Sequence, residues 1–208
     1  MADKKTIGIV LYEEAEELDF VGPYEALAMF AKYIDQDWRV VTVAETGEPV
    51  RAGHDLRVAP DHSFADCPPL DVIVVPGGLG SRKEVDNPVM IDFLRAKGEA
   101  AEWVTSVCTG AFLLSHAGFL KGRKATTHWG SIDRLREEPG VEVVNERFVR
   151  DGNVITAAGV SAGIDMALYL IGLLKDEEAA RNVQKFMEYY PEPPYAEEAA
   201  LGAGKGAS

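Results

Sequence analysis

Residues 103–120 read WVTSVCTGAFLLSHAGFL, the longest uncharged run in the chain. Two readings compete for it. Its length alone would suit a membrane-spanning helix. Against that, it holds two Thr, two Ser, a His and two Gly. Its period also changes at Cys108, where a run of apolar and small residues gives way to Thr109-Gly110-Ala111. A buried strand followed by a buried helix, stopped near Gly118, accounts for both features. Cys108 then stands on the corner between them, as ordinary core packing or as a nucleophile on show.

The same alternation extends in both directions. Upstream, TIGIVLY (6–12) reads as a strand, LDFVGPYEALAMFAKY (18–33) as a helix and WRVVTVAE (38–45) as a second strand. Gly22-Pro23 lies near the start of that helix, where a proline is tolerated. The segment 50–64 alternates and carries turn residues, which predicts a hairpin or edge segment. DVIVVPGGLG (71–80) is a buried strand running into a glycine turn, and 88–99 is a helix closed by Gly98. Downstream, 141–159 reads as a hairpin on its Asp151-Gly152 turn. An apolar helix (161–175) and an amphipathic one (176–190) follow. We expect one α/β domain over 1–194 and a flexible C-terminal tail over 195–208. Strands alternating with helices imply a mostly parallel sheet covered by helices on both faces.

The chain has 208 residues, enough for one substantial core. A hydrophobic fraction of 47% and a charged fraction of 26% are ordinary for a folded protein. The formal net charge of −13 repels phosphate backbones and anionic lipid, so neither nucleic acid nor a membrane surface is an expected partner. The first residues lack a signal-peptide core. With two cysteines, Cys67 and Cys108, the simplest reading is a cytoplasmic, reduced protein with free thiols.

Ligands on parallel sheets bind beyond the carboxyl ends of the strands, where strand order reverses. Three corners there carry unusual chemistry. At Cys108, free helix amides are expected to lower the thiol pKa; core packing is the equally open alternative. Those amides, with the ones of Gly77 and Gly78, offer places for developing negative charge on a substrate. Asp19 is flanked by apolar residues, so it suits a partly buried acid or base with a raised pKa. A helix N-cap is its simpler role. PGGLG (76–80) matches neither a dinucleotide fingerprint nor a phosphate loop. Cys67, in a proline loop, reads as a spectator. His54, His62, His116 and His128 have no metal-ligand spacing, so no metal is expected. His116 suits a core position, and His128 in TTHWG a pocket lining. No histidine adjoins Cys108.

VVPGG, VTSVCTGAFLL, GRKATTHW and RDGNVITAAGVSAGIDMAL, taken in that order, resemble the ThiJ/PfpI superfamily from the first strand to about Pro194. Three features resemble its isocyanide hydratases: the aspartate of LDFVGP, Cys-Thr in place of Cys-His at the corner, and SFADCPPLDVI leading into the glycine turn. The resemblance implies a flavodoxin-like sandwich, a homodimer and no organic or metal cofactor. It implies a lyase acting on a small-molecule isocyanide, with Cys108 as nucleophile, Asp19 as acid/base, Thr109 hydrogen-bonded near the site and Gly78 lining it. Glyoxalase-type chemistry on small carbonyl compounds and a cysteine-based oxidative-stress sensor are the rival readings. A peptidase is disfavoured, because no adjacent histidine activates the thiol. Similar motifs occur in ligand-sensing domains of transcription regulators that continue into a helix-turn-helix domain. The charge and the Ala/Gly-rich tail argue against a DNA-binding role here.

Overall fold

In the computed structural model, which describes residues 4–195, the run at 103–120 divides at Cys108 into a strand and a helix. Among the described residues no helix is long and apolar enough to cross a membrane. The elements run β1 (Lys5–Val10), α1 (Glu17–Met29), a π-helical turn (Phe30–Ile34), β2 (Trp38–Ala44), β3 (Val50–Arg51), β4 (Arg57–Val58), β5 (His62–Ser63), β6 (Val72–Val75), α2 (Ser81–Glu84) and α3 (Pro88–Ala100). They continue β7 (Trp103–Val107), α4 (Gly110–His116), β8 (Lys124–Ala125), α5 (Ile132–Arg136), β9 (Glu142–Val143), β10 (Phe148–Asp151), β11 (Val154–Ala157), α6 (Ala162–Leu174) and α7 (Glu177–Phe186).

The main sheet has the order β10-β11-β7-β6-β1-β2-β5, with every pairing parallel except β10 with β11. β6, β7 and β11 are buried along their whole length, and β1 is buried after Lys5. Continuous runs of this kind belong to strands covered on both faces. One helical layer packs α1 on α6 and α6 on α7, and the other packs α3 and α2 on α4. The mostly parallel, doubly covered sheet expected from the alternation is therefore present, as is the flavodoxin-like sandwich that the resemblance implies. Local signals set several boundaries. Asn87 caps α3 by accepting the Val89 amide at 3.0 Å, with Pro88 in the first turn, and Asp176 caps α7 through the Ala179 amide at 2.8 Å.

Three expectations change in detail. The helix expected over 18–33 ends at Met29 and passes into the π-helical turn. Pro23 lies well inside α1, and, lacking an N–H, it cannot donate to the Asp19 carbonyl. The hairpin expected over 141–159 is the β10–β11 pair alone, turning at Gly152 with φ +62°; residues 142–143 pair with β8 instead. The segment 50–64, expected as a hairpin or an edge, contains one of each: the β3–β4 pair, and β5 at the sheet margin. The C-terminal tail lies outside the described residues, apart from Tyr195.

β2 lies on one side of β1 and β6 on the other. Strand order thus reverses between β1 and β6, and the connections that leave their carboxyl ends lead to Asp19, in the first turn of α1, and to the Gly77-Gly78 turn. Cys108 follows the next strand, β7. The fold gathers all three corners at one end of the sheet.

Candidate active site

Cys108 is the first residue past β7 and has φ +56°. A side-chain-bearing residue in that left-handed region costs about 1–2 kcal/mol, so its surroundings must hold it there. They do so on both sides of the residue. Its amide donates to the carbonyls of Ala157 (3.0 Å) and Ala158 (2.8 Å), beyond the end of β11. Its carbonyl accepts the Thr127 hydroxyl at 2.7 Å. Gly110 follows because a Cβ there would stand 2.3 Å from the Val75 carbonyl oxygen. The strand-to-helix corner is thus a strained, pinned bend.

Asp19 lies in the first turn of α1 and is completely buried. It does not cap its own helix: Oδ2 accepts the Gly77 amide at 2.8 Å, across the switch point. Oδ1 is buried without a hydrogen-bond partner. Burial raises the Asp19 carboxyl from 3.8 to about 7. The Gly77 hydrogen bond opposes the rise, the charge of Glu16 adds to it, and a hydrogen-bonding contribution from Cys108 opposes it.

The thiol behaves contrary to the sequence expectation. Only 6% of Cys108 is exposed. Burial, and then the negative charge of Asp19, push the thiol up to about 12. The Thr109 and Val160 amides and the Thr109 side chain pull it down, and they do not win. The amides ahead of the seven-residue α4 therefore do not offset desolvation. Asp19 therefore titrates far below Cys108, and near neutral pH the pair holds a thiol beside a carboxyl that is part ionised.

Thr109 Oγ1 accepts the Gly78 amide at 3.0 Å and lies 2.9 Å from Ser81 Oγ, which also reaches the Gly78 carbonyl at 2.7 Å. The Gly77 and Gly78 amides, expected to face substrate, are thus taken up by Asp19 and Thr109. Their role in this geometry is to lock the two side chains to one turn. Gly78 has φ +115°, and a Cβ on it would stand 2.4 Å from the Glu16 amide nitrogen and 2.5 Å from the Glu14 carbonyl oxygen. Gly78→Ala is accordingly expected to cost about 3 kcal/mol or more, read as a lowered urea midpoint with an unchanged slope.

His128 is half-buried and accepts the Gly130 amide through Nδ1 at 3.2 Å. Its ring packs so closely on Gly159 that a Cβ there would meet Cδ2 at 2.6 Å. That places it on the 158–160 segment, which meets Cys108 through the Ala158 carbonyl and the Val160 amide. Thr127, one residue earlier, makes the direct contact with the corner. His54 sits at the Glu16-Glu17 end of α1: its amide and ring nitrogen take both Glu17 oxygens, at 2.6 and 2.7 Å. With its oxygens so engaged, this exposed group serves as an ion-paired clasp. Cys67 is buried away from these residues, its sulfur 3.3 Å from the Pro68 carbonyl oxygen. His116 is not a core residue; its Nδ1 lies 3.0 Å from the Val85 carbonyl oxygen and its Nε2 3.7 Å from Glu138.

Sequence reading missed three contributors. Tyr12 falls in the sequence at the end of the strand expected over 6–12, while Thr127 and Val160 carry no assignment there. Only the last had a local signal: the small-residue run AAGVSAG (157–163) after a strand, in which Val160 takes φ +39°.

The model of the DJ-1/PfpI family matches residues 5–173. An isonitrile hydratase of Pseudomonas putida is 42% identical over 189 residues, covering 91% of this chain and 80% of the relative. The crystal structure of a ThiJ/PfpI family protein from Pseudomonas syringae superposes with a TM-score of 0.86 at 34% identity, covering 92% of this chain and 78% of that one. The HTH-type transcriptional regulator GbdR of Pseudomonas aeruginosa is 28% identical over 89% of this chain, which spans about half (51%) of the regulator. The chain belongs to the DJ-1/PfpI family.

Proposed function

We infer that this DJ-1/PfpI protein hydrates an isocyanide, R–N≡C, to the N-substituted formamide R–NH–CHO. The observation that carries the reading is the pairing of a buried carboxyl, raised to about 7, with a buried thiol raised to about 12. A terminal isocyanide carbon accepts a nucleophile and a proton at the same atom, and this pair supplies both. The Asp19 carboxylate takes the Cys108 proton as the sulfur attacks. Protonated Asp19 then delivers that proton to the same carbon, giving the thioimidate R–N=CH–S–Cys108. Asp19, a carboxylate again, takes a proton from the attacking water and passes it to nitrogen. Collapse of the tetrahedral adduct expels Cys108 as thiol and releases the formamide. Similarity to the Pseudomonas putida isonitrile hydratase supports the substrate class.

In this scheme Thr109, through Gly78, keeps the glycine turn against Asp19, and His128 lines the side of the site formed by 158–160. The sensor reading loses ground, because susceptibility to oxidation follows thiolate character and exposure, and Cys108 has little of either. The deciding assay is formamide production from a small alkyl or aryl isocyanide, with methylglyoxal in parallel. Turnover of the isocyanide alone is the expected result. Turnover of methylglyoxal alone would replace this reading with carbonyl chemistry. The homodimer belongs to the same proposal, and light scattering of the purified chain tests it.

A further inference from the structure

Tyr12 lies just beyond β1 and is buried, 4% exposed. Its hydroxyl oxygen is 2.6 Å from the Pro76 carbonyl oxygen and 2.9 Å from that of Gly77. The shorter contact has a particular consequence. The Pro76 carbonyl and the Gly77 amide are two ends of one peptide group, and that amide is the donor to Asp19 Oδ2 at 2.8 Å. Tyr12, the Pro76–Gly77 peptide and Asp19 therefore form a single line of hydrogen bonds. A donor at the carbonyl end draws electron density toward oxygen and leaves the N–H more positive, so the second bond strengthens with the first.

We propose that Tyr12 is a positioning residue that sets the proton affinity of Asp19 through the Pro76–Gly77 peptide. The phenol touches neither Asp19 nor the sulfur by a hydrogen bond; it acts on the group that does. Burial holds its own pKa well above 10, with the charges of Asp19, Cys108 and Glu84 adding to the effect, so it remains a donor throughout the working range. The other titratable groups facing Asp19 are Cys108, past β7, and Glu16, just ahead of α1. Neither is altered by a change confined to the phenol.

The inference rests on the proposed hydration only for its consequence in turnover, and its test needs no substrate. The carboxyl carbons of aspartate are labelled with ¹³C and followed by NMR as a function of pH, Asp19 being assigned by the signal lost in Asp19→Asn. In Tyr12→Phe the Asp19 midpoint is expected to rise by about half a pH unit, since a weakened donor stabilises the carboxylate less. With 3-fluorotyrosine at position 12, a stronger donor of nearly the same shape, it is expected to fall. Shifts of opposite sign support the relay. No shift with fluorotyrosine, or shifts of one sign in both variants, overturns it, and the fluorotyrosine protein answers the question even where Tyr12→Phe fails to fold. Opposed shifts without isocyanide turnover would retain the relay and discard the proposed reaction.

Discussion

Cys108→Ala is expected to lower isocyanide turnover by about 10³-fold or more while leaving the protein folded. The chemical argument is that the neighbouring hydroxyl is not a substitute nucleophile: that of Thr109 is committed to the Gly78 turn and to Ser81. The structural argument is that the bonds pinning the corner are made by the Cys108 backbone, to Ala157, Ala158 and Thr127. Alanine can make all of them, so circular dichroism and the urea midpoint should change little. Formamide formation, followed by chromatography at saturating isocyanide, is the readout. The substitution also removes the thiol's contribution that opposes the rise in the Asp19 carboxyl, so the Asp19 midpoint should move up in the same protein. Near-normal turnover in a folded Cys108→Ala would exclude the thioimidate route.

The strands were legible because burial on both faces writes itself as uninterrupted Val and Ile, as in VIVV (72–75). The Cys108 corner was legible for a related reason: a strand period cannot continue through Thr109-Gly110. Helix extents were less so. Residues 18–33 keep helical spacing through the π-helical turn, and spacing alone does not register one extra residue per turn. For the site, residue types were readable and their environments were not. Position before a helix favoured a low thiol pKa, whereas burial and the Asp19 charge act in the opposite direction and depend on tertiary packing. Tyr12 had no signal, because its partner peptide lies 64 residues away. The Gly77 and Gly78 amides looked free because nothing local shows that Asp19 and Thr109 reach them.

Asp19→Asn is expected to divide activity from stability. The variant can neither take the thiol proton nor deliver one to carbon, so turnover should fall by about 10²–10⁴-fold. Its fold should nevertheless be the more stable one at neutral pH. Asp19 rises from 3.8 to about 7 on folding, so the native state binds its proton more tightly than the unfolded chain. The stability that this tighter binding confers is complete below about pH 4 and lost as pH climbs through about 7. The rise corresponds to roughly 4 kcal/mol at its upper end. Asparagine escapes that dependence and still offers an oxygen to the Gly77 amide. It also places an amide donor where Asp19 Oδ1 has no partner, which costs about 1–3 kcal/mol. A net gain of about 1–3 kcal/mol at pH 8 follows, turning into a net loss of about 1–3 kcal/mol at pH 4 where only the amide penalty remains, and urea titrations at the two pH values measure it. Wild-type kcat/KM carries the opposite mark of the same group: it should rise about tenfold for each pH step of one below 7 and then level off, because only the Asp19 carboxylate can accept the Cys108 proton. A wild-type stability that stays flat from pH 4 to 8 would remove the buried charge from both arguments at once.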